Sequence, residues 1–70
     1  MKRDQFLRRL RKIGRLNGVI VSVDLKHGKG GHARVFYGDR GTTVPSTVKE
    51  PGMRNALLKQ LGLTARDWES

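Results

Sequence analysis

The sequence predicts a small α+β domain in the order α-β-β-β-α, a three-stranded antiparallel sheet with both helices packed on one face. Three observations carry that expectation. Apolar residues recur at helical spacing near both ends of the chain, and residues of alternating character fill the middle. The connections between these stretches are short, which favours an antiparallel meander. A chain of 70 residues makes one domain. It buries only about 60% of the surface its unfolded form exposes, so a three-stranded sheet needs both helices on one face to have a core. The other face then stays open.

Each element has its own signature. From residue 3 to about 14, Phe6, Leu7, Leu10 and Ile13 share one helical face, and Asp4 suits the first turn of a helix dipole. Gly14 reads as the stop. Arg3, Arg8, Arg9, Arg11 and Lys12 occupy the remaining surface, either as a solvated face or as an arm along a phosphate backbone. Val19 to Leu25 alternates, with Val19, Val21, Val23 and Leu25 on one side. His32 to Tyr37 is a second strand. Ala33, Val35 and Tyr37 face inward, and His32, Arg34 and Phe36 face outward. Gly38 to Gly41 is a turn, and Thr42 to Val44 is a third strand stopped by Pro45. Pro51 introduces a second helix from about Gly52 to Leu61, with Met53, Leu57, Leu58 and Leu61 as its apolar stripe and Gly62 as its stop. Thr64 and Asp67 have the spacing of a capping box at the head of a last short turn, and Trp68 is expected to fold back on the core.

Composition narrows the function. Fifteen Lys and Arg against six Asp and Glu give a net charge of +9. Such a bias points to a polyanion, with RNA or DNA ahead of a membrane surface. There is no cysteine, so neither a disulfide nor a thiolate metal site supports the fold. No apolar run approaches the ~20 residues of a membrane span, and the N-terminal segment lacks the apolar region of a secretory signal. A cytoplasmic protein without a membrane partner is expected.

The chemistry concentrates in Gly28-Lys29-Gly30-Gly31-His32-Ala33-Arg34-Val35-Phe36-Tyr37. A glycine loop with Lys29 lets backbone N–H groups approach an anion. His32 can exchange a proton near neutral pH, and Arg34 adds a cation two residues on. The loop lacks the spacing of a Walker motif and is followed by a strand, which excludes a dinucleotide fingerprint. His27 and His32 are five apart and no acidic residues cluster with them, so no metal and no small-molecule cofactor are expected. What remains is metal-free RNA cleavage. An imidazole takes the proton of a ribose 2′-hydroxyl, which attacks the neighbouring phosphate while cations stabilise the growing charge. DNA lacks that hydroxyl. The plainer alternative is a glycine-rich hairpin loop with a surface histidine.

The segment GKGGHA, the strand end TTVP and above all KEPGMRNALLKQLGLTARDW resemble the HicA toxin family. The resemblance runs from Gly28 to Trp68. It implies a fold like the double-stranded-RNA-binding domain and the activity of an mRNA interferase in a type II toxin–antitoxin module. It also implies a HicB-like antitoxin partner that blocks RNA access. The family's catalytic histidine maps onto His32. The family's usual serine before that histidine and frequent second histidine after it are here Gly31 and Ala33. The expected function is therefore a toxin that cleaves mRNA and arrests translation, with His32 as base and Lys29, Arg34, Lys49 and Arg54 as RNA contacts. A non-catalytic RNA-binding module of the same fold is the alternative, and a DNA-binding accessory protein is a third reading.

Overall fold

The computed structural model describes residues 1–25 and 31–69. Within them lie α1 (Arg3–Asn17), β1 (Val21–Asp24), β2 (Ala33–Tyr37), β3 (Arg40–Val44), α2 (Gly52–Gln60) and α3 (Ala65–Glu69). The strands form one antiparallel sheet in the order β1-β2-β3, so β2 is central. The helices cover one face of it, and the α+β architecture expected from the sequence is the one observed. No helix among the described residues is long and apolar enough to cross a membrane.

Phe6, Leu10 and Ile13 of α1 are buried, as their spacing requires, with Leu7 half-buried beside them. The helix does not stop at Gly14. It continues to Asn17, and Gly14 is a buried packing position. A Cβ at residue 14 would stand 2.7 Å from the Val19 carbonyl oxygen and 2.8 Å from Val21 Cγ2. Glycine is there to let the start of the strand layer approach the helix. The stop is Gly18, whose φ of 68° is left-handed, a conformation a side chain resists.

The register sorts the strands into two faces. Val21 pairs with Tyr37, Val23 with Val35, Val35 with Thr42 and Ala33 with Val44, and these residues face the helices. The Thr42 hydroxyl, buried among them, donates to Gln60 Oε1. Ser22, Phe36 and Gly41 form one row on the other face, and Asp24, Arg34 and Thr43 form the next. β1 is shorter than its alternation suggested. Ile20 and Leu25 flank it at 81% and 64% exposure, although the Ile20 carbonyl still accepts the Gly38 N–H at 2.9 Å.

Leu57, Leu58 and Leu61 close the core from the α2 side. Met53, expected on that stripe, is 36% exposed, because α2 meets the core through its later turns only. Thr64 and Asp67 form the reciprocal cap. Asp67 Oδ2 accepts the Thr64 N–H at 2.8 Å, and Thr64 Oγ1 accepts the Asp67 N–H at 3.2 Å. The last turn is thereby a short helix, α3. Trp68 stacks on Phe6 with ring centroids 5.2 Å apart. The chain start is held against the segment after β3. Arg3 N–H donates to Ser46 O at 2.9 Å, Val48 N–H donates to Met1 O at 2.8 Å, and Lys2 bridges Thr47.

Candidate functional site

His32 lies at the end of the sheet where β2 begins and β3 finishes. Its backbone is held on both sides. Ala33, which follows it, pairs with Val44 at the first position of β2. Gly31, which precedes it, turns the chain with a φ of 86°. The Gly31 carbonyl accepts a hydrogen bond from Arg3 Nη1, which also reaches Val44 O at 3.5 Å. One guanidinium therefore ties α1, the residue before His32 and the end of β3 together. His32 itself is exposed and lies one residue before β2, on whose uncovered face Arg34 and Phe36 stand.

Arg34 is exposed, two residues along the chain, about 6–7 Å of extended backbone from His32. Its guanidinium donates to Thr43 Oγ1 at 3.3 Å and sits 5.5 Å from the centroid of the Phe36 ring. Asp24 stands directly opposite it on β1 as a cross-strand partner of opposite charge. Lys49 is exposed, and its carbonyl accepts the Arg54 N–H at 3.1 Å near the start of α2.

Arg54 has a different occupation. Its guanidinium donates to Glu50 Oε1 at 2.9 Å and to Asn55 Oδ1 at 3.3 Å, and lies 5.7 Å from the Trp68 ring centroid. At 15% side-chain exposure it ties the start of α2 to α3 and offers little to a phosphate. Lys29 and the rest of the glycine loop, residues 26–30, lie outside the described residues.

The α1 cations also divide. Arg3 is engaged at Gly31 and Val44, and Arg9 donates to Trp68 O at 3.0 Å beside the indole ring. Arg8, Arg11, Lys12 and Arg15 are exposed at i, i+3, i+4 and i+7. That spacing makes one basic stripe, on the side of α1 opposite Phe6, Leu10 and Ile13. It therefore faces away from the sheet and from His32.

Two residues gain a place here that sequence reasoning did not assign. Arg3 looked like one more helix-face cation, and nothing local signals a contact 28 residues away. Phe36 had a signal, because parity turned an aromatic ring outward. Among the described residues no three His, Asp or Glu side chains gather as a metal site would need. The chemistry open to this arrangement is that of an exposed imidazole on a fixed backbone, two residues before an exposed guanidinium. In comparisons with known proteins, no protein-family model, no curated protein and no solved structure matches the chain.

Proposed function

We propose that the chain is a HicA-type toxin, an endoribonuclease that needs no metal, cuts mRNA and so arrests translation. The observation that carries this reading is the placement of His32. It is exposed, held at both backbone neighbours, and two residues ahead of Arg34, which stands on the uncovered sheet face of a protein of net charge +9. The neutral imidazole takes the proton of a ribose 2′-hydroxyl. The 2′-oxygen then forms a bond to the adjacent phosphorus, and the bond to the 5′-oxygen of the next nucleotide breaks, with that oxygen protonated from water. The products are a 2′,3′-cyclic phosphate and a free 5′-hydroxyl. Arg34 acts on the charge that builds on the non-bridging oxygens.

A HicB-like antitoxin is the proposed partner. Leu16, Ile20 and Leu25 are exposed where α1 ends and along β1. Among the described residues β1 is also an edge strand of the sheet, a surface a protein partner would cover. A small neighbouring reading frame whose product binds this chain and suppresses cleavage is the expected companion.

The test is cleavage of a single-stranded RNA in the presence of EDTA. Wild-type protein should cut it and leave cyclic phosphate ends. His32→Ala should lose about 10²–10⁴-fold in rate while keeping RNA affinity within about twofold and an unchanged circular dichroism spectrum. Cutting by His32→Ala at the wild-type rate would overturn the mechanism. RNA bound but never cut by wild type would favour the non-catalytic binding module.

A further inference from the structure

On the open sheet face, Phe36 is the residue the cleavage chemistry does not use. It stands in the centre of the sheet, on β2, half-buried rather than covered by a helix. Its β3 partner is Gly41. A Cβ on residue 41 would lie 2.8 Å from Phe36 Cδ1 and Cε1 and 3.3 Å from Arg34 Nη2. The ring and the guanidinium thus fill the space that the absent side chain leaves, and they lie down on the sheet together. The guanidinium is held by Thr43 Oγ1 and stands 5.5 Å from the ring centroid. Ser22, the β1 partner of Phe36, is small as well, so neither neighbour walls the ring in.

We propose that Phe36, seated on Gly41 and flanked by Arg34, is a stacking platform for an unpaired base of single-stranded RNA. This rests on the RNA reading of the same face. The occupant follows from the chemistry present. A flat aromatic ring takes a base face of any identity, the guanidinium takes the phosphate or extends the stacked plane, and the protein's charge selects a polyanion. A base paired in a duplex is already stacked on both sides and cannot reach the ring. The platform therefore makes the protein select single strands, from a face that the helices leave uncovered. Position adds a second consequence. Phe36 is four residues from His32, about 13 Å along the strand, farther than a base stands from its own 2′-hydroxyl. The stacked base belongs to a nucleotide flanking the one that is cut.

The experiment uses the full chain and a 2′-O-methyl oligoribonucleotide. That probe keeps its bases but has no free 2′-hydroxyl, so binding is read without cleavage. Phe36→Leu should weaken binding of the single strand by about 5- to 150-fold, the range for loss of one stacked base. Binding of the matching duplex should be unchanged. Phe36→Tyr should restore wild-type affinity for the single strand. An abasic nucleotide at one position should remove the difference between wild type and Phe36→Leu. Equal single-strand affinity of wild type and Phe36→Leu, or an equal loss for strand and duplex, would overturn the platform. Cleavage of ordinary RNA, measured in parallel, judges the nuclease reading separately. A protein that shows this Phe36 dependence and never cuts has the platform without the nuclease.

Discussion

A missing side chain at residue 14 matters as much as the present one at residue 32. Gly14 sits inside α1, where alanine would improve helix propensity by about 1 kcal/mol. Yet the added methyl group would meet a backbone carbonyl, Val19 O, at 2.7 Å and the Val21 side chain at 2.8 Å. The Val19 N–H also donates to Gly14 O at 2.7 Å, so the two backbones are locked at that spacing. Overpacking of this kind costs about 1–3 kcal/mol, which outweighs the propensity gain. Gly14→Ala is expected to lower the thermal midpoint by roughly 5–10 °C, a loss of about 1 kcal/mol for a domain of this size. A midpoint equal to or above wild type would show that α1 can slide off β1. The same residue explains why the helix end was misplaced. Whether a glycine stops a helix or lets a neighbour in depends on what packs there, and that neighbour lies outside any local window.

At the level of elements, α3 carries more than its five residues suggest. Its Trp68 stacks on Phe6 of α1, and Arg9 and Arg54 lie within 6 Å of the indole centroid. The aromatic ring thus joins α1, α2 and α3. Trp68→Ala should cost about 3–5 kcal/mol, comparable with the whole stability a single small core supplies. The variant is expected to be largely unfolded at room temperature by far-ultraviolet circular dichroism, while Trp68→Phe should fold with a reduced midpoint. A fully folded Trp68→Ala would mean that α3 is an appendage. The tie between α1 and the His32 turn works at this level too. Because Arg3 holds the Gly31 carbonyl, the first turn of a helix on the covered face helps fix the backbone next to an exposed histidine.

For the molecule as a whole, exposed cations among the described residues include two groups on different surfaces. Arg34 stands on the uncovered sheet face two residues after His32, whereas Arg8, Arg11, Lys12 and Arg15 line the outer side of α1. If RNA lies across the sheet, the two groups must respond differently. Affinity for a single strand should fall with salt at a log–log slope near −0.7 for each phosphate neutralised. Arg34→Gln should make that slope shallower by about 0.7 and slow cleavage. Replacing the four α1 residues by glutamine together should leave cleavage of a short oligonucleotide near the wild-type rate. A quadruple variant that loses cleavage as Arg34→Gln does would place the RNA on α1 instead. Net charge alone does not make this distinction. A total of +9 draws a polyanion to the protein without saying where it lands.

Short-range periodicity made the architecture readable in advance. Phe6, Leu10 and Ile13 mark one helical stripe, and Val35 between Arg34 and Phe36 marks one strand with two unlike faces, because side-chain direction repeats every 3.6 or every two residues. The outward placement of Arg34 and Phe36 on the uncovered face follows from the same parity. Tertiary contact decided the rest. It turned Arg3, Arg9 and Arg54 from a pool of similar cations into holders of Gly31, Trp68 and Glu50. It also laid Phe36 on Gly41. A charge or a ring is written in one residue, but its partner comes from another element. Only the packing of the layers determines which partner it meets.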